Sequence, residues 1–256
     1  MKPDISEFSF GYAITESLIR GNAFGLEAAP VFPSLIQEGQ EGGGFDVHLP
    51  FEGSPLFLQF KLSDCMVGDN AKEANDIGVP YYRMHIRPLR HSLQHQMLLD
   101  LEADGRIVYY VAPKFHTSTE LNEAYLGRQV AQRSIFIQPS LIGDLDNKDH
   151  YVVFKEDVEP IVCSEPKKIN QPVDYRSFVE HTTTHAKRFG EQTANHDEMQ
   201  NLQTILINII EDVKPQKELW KSIQRQDLLG NRPLITQTAY IARTFFGCEM
   251  YVVRAV

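Results

Sequence analysis

The groups best placed for chemistry are an acid, an amide and a lysine in one short stretch. Asp46 follows Gly42-Gly43-Gly44-Phe45 and precedes Val47-His48-Leu49-Pro50; a turn at Glu52-Gly53-Ser54-Pro55 then leads into Leu56-Phe57-Leu58-Gln59-Phe60-Lys61-Leu62. Read as the two strands of a hairpin, the stretch brings three polar groups to one sheet edge. Gln59 and Lys61 break an otherwise apolar run at spacing two, which on a pleated strand puts them on one face. An unpaired ammonium is costly to bury, so Lys61 needs a partner, either Asp46 or whatever Asp46 binds. The simplest outcome is a cross-strand ion pair with no further task; the richer one is a set of oxygens and a cation converging on a ligand.

The elements around this stretch decide whether the groups can meet. Ser6 and Glu7 open a predicted helix through Phe10, Ala13, Ile14, Leu18 and Ile19, ended by Gly21-Asn22, with Glu16 in its second half. Residues 29–36 read as an edge strand confined by its prolines, and the Glu- and Gly-rich residues 37–44 as a turn. The Asp46 strand and the Gln59/Lys61 strand then complete a three-stranded meander. Residues 64–78 read as a polar loop, and residues 80–88 as a short extended piece. Ser92 caps a helix through Met97, Leu98 and Leu101, and the nearly continuous apolar run of residues 106–113 reads as a strand buried on both faces. A helix between two strands predicts a βαβ crossover.

Further on, a helix from Thr117 or Ser118 runs into Ala131, residues 134–139 and 150–154 read as strands, and a loose polar stretch over 163–172 marks a boundary. Beyond it, helices are predicted over 175–188, 197–213 and 234–246, with a terminal strand over 249–253 that needs a sheet to join. The organisation expected is a core over 1–162 and a mainly helical region over 173–256, packing on the core or on a partner.

Composition narrows the classes. The chain has 256 residues, 42% hydrophobic and 23% charged, as an ordinary folded protein does. No apolar run approaches the roughly 20 residues of a membrane span, so no membrane partner is expected. The start lacks the apolar stretch of a secretory signal, and the three cysteines have no ligand spacing, which reads as a cytoplasmic protein. A net charge of −9 argues against a protein that coats nucleic acid, whose affinity comes from neutralising phosphates. An enzyme with its positive charge confined to a cleft, a metal ion, or a basic partner remains compatible.

The order of helix with Glu16, strand with Asp46, strand with Gln59-x-Lys61, helix with Gln94 and then the Tyr109/Tyr110 strand resembles the PD-(D/E)XK nuclease superfamily over about the first half of the chain. Gln59 stands where Glu is usual, and Phe45 replaces the proline that names the motif. The resemblance implies an α/β, restriction-endonuclease-like core with a central mixed sheet flanked by helices. It also implies a Mg²⁺- or Mn²⁺-dependent endonuclease acting on DNA, similar to effector nucleases of bacterial restriction and anti-phage systems. Phosphodiester hydrolysis needs a cation to withdraw charge and acidify a water, and Mg²⁺ takes hard oxygens. The implied ligands are Asp46, Gln59 through its amide oxygen, the Phe60 carbonyl and Glu16, with Lys61 orienting the water or meeting the developing charge. Asp46, Gln59, Lys61 and Glu16 form the expected catalytic set. The acidic balance points to a protein partner subunit, or a homodimer, that helps hold DNA. The alternatives are an inactive nuclease-fold subunit serving as a binding or assembly module, in which Gln59 marks a decayed site, and an RNA or nucleotide phosphodiesterase.

Arg83, Arg87 and Arg90, with Gln94 at the start of the next helix, form the candidate substrate-binding set, because guanidinium matches phosphate oxygens in bidentate fashion. The competing reading is a solvated surface. His91 and His95, and likewise His181 and His185, are four apart, a spacing that can bind a metal on a helix; without a third ligand, capping or solvated histidines are the preferred reading. Nucleophile elbows and phosphate-binding glycine loops are missing from the sequence.

Overall fold

The computed structural model describes residues 1–21, 25–26, 53–71, 73–163, 167–190, 196–225, 229–230 and 232–254. The strands and turn expected over residues 29–50, and Asp46 with them, lie outside the described residues. In chain order the elements are α1 (Glu7–Arg20), β1 (Gly25–Leu26), β2 (Ser54–Phe60), β3 (Ser63–Met66), α2 (Ala74–Ile77), β4 (Tyr81–Ile86), α3 (Gln94–Ala103) and β5 (Ile107–Pro113). They continue with α4 (Ser118–Leu126), β6 (Ser134–Ile137), α5 (Pro139–Ile142), β7 (His150–Lys155), β8 (Val158–Val162) and β9 (Lys167–Lys168). The last are α6 (Tyr175–Gly190), α7 (His196–Asp212), α8 (Lys214–Arg225), α9 (Leu234–Ile241), a π-helical turn over Ala242–Phe246, and β10 (Glu249–Arg254).

The fold is α/β. A mixed sheet has the order β1-β10-β2-β5-β6, an antiparallel sheet the order β3-β4-β7-β8-β9, and helices complete it. No described helix is long and apolar enough to cross a membrane. The chain divides into two compact units that alternate along the sequence: Met1–Phe24, Gln59–His95 and Tyr109–His181 form one, and Gly25–Leu58, Gln96–Val108 and Thr182–Val256 the other.

In the first unit, Ser6 caps α1 by accepting from the Ser9 N–H at 3.0 Å, with Glu7 and Arg20 placed to suit the helix dipole. Phe10, Ala13, Ile14 and Leu18 form its buried face. Phe10 meets Phe60 and Phe115 edge-on at centroid distances of 6.1 and 6.0 Å. Gly11 lets the helix come this near, since a Cβ there would sit 2.9 Å from Phe60 Cδ2. A mid-helix glycine costs about 1 kcal/mol relative to alanine, and the close approach to the end of β2 is what that cost secures. The antiparallel sheet lies wholly in this unit, with Ser63↔Met84 and Tyr82↔Phe154 among its paired residues.

In the second unit, β10 pairs with β2 from Glu249↔Leu58 to Val253↔Ser54, and with β1 on its other side. Helix α7 buries Met199, Leu202, Leu206 and Ile210 at helical spacing and packs against α8 and α9. Trp220 of α8 meets Phe245 edge-on at 6.0 Å.

Several expectations are corrected. The Asp46 half of the expected hairpin lies outside the described residues; β2 itself is flanked by β10 along residues 54–58 and by β5 on its other edge. The extended piece at 80–88 is β4, but it belongs to a different sheet from β5, so helix α3 does not connect neighbouring strands. Residues 64–78 are not all loop: β3 and α2 lie there, each four residues long, too short to show periodicity and stabilised by pairing and burial. Helix α4 ends at Leu126, short of Ala131, where Arg128 takes a positive φ of 56°. The loose stretch at 163–172 contains β9, and an amphipathic helix, α8, follows α7 beyond the predicted helices.

The start of α4 shows how local chemistry stabilises the first unit. Thr117 accepts from the Glu120 N–H at 3.2 Å, and Glu120 Oε2 accepts in return from the Thr117 N–H at 2.9 Å, a complete capping box. Burial alone raises the Glu120 pKa, but hydrogen bonds from the His116 and Thr117 backbone and the Thr117 hydroxyl outweigh it and bring it below the usual range. Thr117→Ala is expected to lower the unfolding free energy by about 1 kcal/mol, and Thr117→Ser to retain most of it, as measured by urea denaturation.

Candidate functional site

Three of the expected groups meet at the end of β2. Gln59 is the last but one residue of that strand and is 5% exposed. Lys61 directly follows the strand, and its N–H donates to the Val111 carbonyl of β5 at 2.9 Å. Gln94 begins α3, where its own N–H donates to Ser92 Oγ at 3.3 Å. The side chains form one chain of hydrogen bonds. Lys61 Nζ donates to Gln94 Oε1 at 3.1 Å, Gln94 Nε2 donates to Gln59 Oε1 at 2.7 Å, and Gln59 Nε2 donates to the Phe60 carbonyl at 2.9 Å. The half-buried ammonium thus gains an acceptor, and the buried carboxamide uses both ends.

Beside it lies a second polar network. His95 is 3% exposed. Its Nε2 lies 2.8 Å from the Gly143 carbonyl, which can only accept, so Nε2 carries the proton and Nδ1 accepts from the Tyr110 hydroxyl at 3.0 Å. Gly143 has a φ of 83°, a conformation that suits glycine. His95 stacks on Tyr110, centroids 5.8 Å apart. Both ring nitrogens are therefore used within the protein, which removes His95 from the metal-binding spacing it shares with His91. His91 Nε2 accepts from Arg90 Nε at 3.1 Å. Sequence spacing did not point to this network; the only signal was a histidine on the buried face of a helix followed by a tyrosine-rich strand.

The remaining expected residues are placed elsewhere or committed. Glu16 pairs with Arg20 one turn along α1, and the pocket it lines is walled by Arg20, Tyr125, Arg128 and Tyr175, not by Gln59, Lys61 or Gln94. Asp46 lies outside the described residues. Arg83 pairs with Asp64 at 3.3 Å and lies 4.4 Å over the Tyr151 ring. Arg90 donates to the Asn147 carbonyl at 2.6 Å and lies 3.8 Å from Asp149. Arg87 is exposed. The acids of neighbouring strands and loops thus engage two of the three arginines. The Tyr109 hydroxyl lies 2.6 Å from His181 Nδ1, and burial lowers the His181 pKa. His185 Nε2 donates to the Gly105 carbonyl at 3.0 Å.

The fit to a hard cation can be read from the oxygens. Gln59 turns its NH₂ group to the Phe60 carbonyl; with the carboxamide turned over, Oε1 and the Phe60 oxygen would face one point together. Both are neutral, and Mg²⁺ takes at least one carboxylate as a rule. Among the described residues no group of three or more His, Cys, Asp or Glu could hold a metal ion. As it stands the pair presents an NH₂ group where an oxygen is needed, with no carboxylate beside it among the described residues, so these residues alone do not fit a divalent cation. No family model, curated protein or solved structure matches the chain.

Burial lowers the His95 pKa from its ordinary 6.5, so the unfolded chain binds a proton first as pH falls. The stability from neutral His95 is complete above that value and lost below it, by at most about 1.4 kcal/mol per pH unit for one group. Urea midpoints measured from about pH 7.5 to about pH 5.5 are expected to fall, and His95→Gln to remove part of that slope.

Proposed function

We propose that the chain is a metal-dependent endonuclease that hydrolyses DNA phosphodiester bonds on a restriction-endonuclease-like core, with restriction or antiviral defence as its setting. The observation that carries this reading is the convergence of Lys61, Gln59 and the Phe60 carbonyl at the end of buried strand β2, bridged by Gln94. Mg²⁺ or Mn²⁺ held by Gln59, Phe60 and Asp46 would supply charge withdrawal from the phosphate and an acidified water. Lys61 donates to a non-bridging phosphate oxygen or orients the attacking water, and its compact charge on a flexible four-carbon stem suits both tasks. Gln94 holds Lys61 and Gln59 in place before substrate arrives, and exposed Arg87 is the arginine best placed to meet the DNA backbone. The net charge of −9 favours a basic partner subunit in that complex.

A second reading, a non-catalytic binding or assembly subunit, is favoured by two observations: Gln59 Oε1 is engaged by Gln94, and Glu16 by Arg20. Calorimetry with Mn²⁺ separates the two, because the binding module shows no heat of metal binding at millimolar concentration.

Supercoiled plasmid incubated with the protein and Mg²⁺ or Mn²⁺ is expected to be nicked or linearised. Asp46→Ala and Lys61→Ala should each lower the rate by about a hundredfold or more. Cleavage that survives both changes would overturn the nuclease reading, and cleavage of RNA in preference to DNA would move the substrate class.

A further inference from the structure

We propose that a cavity beside the C-terminal turn of α1 is a binding site for a phosphate group, with Arg128 as its anchor. All of its lining residues belong to the first compact unit, and Gln59, Lys61 and Gln94 are not among them, so the inference is independent of the nuclease reading.

The backbone at Arg128 is the observation that points there. Helix α4 ends in a Schellman motif: the Gln129 N–H donates to the Ala124 carbonyl at 2.7 Å, and the Arg128 N–H to the Tyr125 carbonyl at 3.1 Å. The motif requires a left-handed residue at Arg128, whose φ is 56°. Glycine is the usual occupant of that position, because a Cβ is strained in the left-handed conformation. Gly127 stands one residue too early, at a φ of −75°. An arginine thus occupies a position that glycine would fill without strain, and the same arginine lines the cavity. A cation at a helix C-terminus is favourable in itself, but one anywhere in the last turn would supply that without the strain.

The cavity suits a small oxyanion. Its volume of about 90 Å³ is several times what one water needs and well below the roughly 300–1,000 Å³ of a pocket for a drug-sized ligand. The carboxylate in its wall, Glu16, is paired with Arg20, which leaves the charge of Arg128 to face the ligand. Two further donors stand in other walls. Ser17 of α1 accepts the Ala131 N–H at 3.4 Å through Oγ, so its hydroxyl proton can be donated. Tyr175 opens α6, and burial raises its pKa, which keeps the hydroxyl protonated. That hydroxyl lies against the end of α1, where a Cβ on Gly21 would come within 2.8 Å of it. Donors therefore come from α1, from the turn after α4 and from the start of α6. A planar carboxylate has two oxygens for them; a tetrahedral phosphate has enough for the guanidinium to take two and the hydroxyls the rest. The phosphate is either free or the end of a larger molecule whose remainder stays outside.

The test is calorimetry on the full chain at low salt, with inorganic phosphate, adenosine 5′-monophosphate and adenosine as separate titrants. One equivalent of phosphate or of the monophosphate is expected to bind, the tighter of the two naming the source, while adenosine gives no heat. Arg128→Gly is expected to weaken that binding by at least about tenfold and, by removing the strain, to shift the urea midpoint upward. An arginine kept only as a helix-end cation would behave the other way, with a lower midpoint and an unmoved affinity, and that result overturns the site. Tyr175→Phe keeps the ring against Phe136 and Phe178 and loses only the hydroxyl; it should weaken binding roughly three- to tenfold, and it decides the matter if Arg128→Gly fails to fold. No phosphate or monophosphate heat with the wild type at millimolar concentration, adenosine binding as well as its monophosphate, or an affinity unchanged in the variants each overturns the proposal.

Discussion

A strand with no exposed side chain sets the conditions for everything near the site. All seven residues of β2 are buried, as are all seven of β5. Buried backbone groups must be hydrogen-bonded, so β2 needs a neighbour on each edge, and the chain supplies β10 on one side and β5 on the other. Both come from parts of the sequence far from β2, one of them from the last described strand. Such long-range pairings carry a large loop-closure entropy that must be offset by the contacts they make. The residues at the end of β2 are therefore fixed by the completed sheet and not by their local turn.

The parts of the fold that can be read from sequence are those set by short-range physics. Ser6 and the spacing of Phe10, Ala13, Ile14 and Leu18 specify α1 through capping and amphipathicity. The unbroken apolar run of β5 specifies a strand buried on both faces. Sheet membership is a different matter. Residues 80–88 and 106–113 are both extended and flank a helix, yet β4 finds its partners in β3 and β7, and β5 in β2 and β6. Nothing within either segment distinguishes these outcomes, since they depend on which partner covers which face. The same holds for β10, whose apolar side chains announce a strand and not its place beside β2.

The candidate site divides in the same way. The polar break at Gln59 is legible within an apolar strand, whereas Lys61, read as its strand neighbour, lies just past the strand's end at Phe60. That Gln94 would bridge the two is a property of where α3 begins in space, more than thirty residues along the chain. Gln94, a candidate for the substrate, holds the strand's own polar groups in the structure. His95 carries a different lesson: its spacing from His91 allows ligation without a third ligand to support it, and Tyr110 and the Gly143 carbonyl occupy both nitrogens. Arg83 and Arg90, candidates for phosphate, have acidic partners in Asp64 and Asp149 that are contributed from elsewhere. Each of these contacts depends on a partner brought by tertiary structure, which composition cannot reveal.

The near-contact of Gly11 with Phe60 links two positions that share a single volume. Because the ring lies against the bare Cα of the helix, any enlargement at 11 must be met by a contraction at 60, and the pair behaves as one two-part residue. Substituted variants of this chain can divide that volume differently, a small residue facing a large one or two of middling size. What they cannot do is enlarge both, for the aromatic ring precedes Lys61 by one residue and its displacement would be carried directly into the groups that follow.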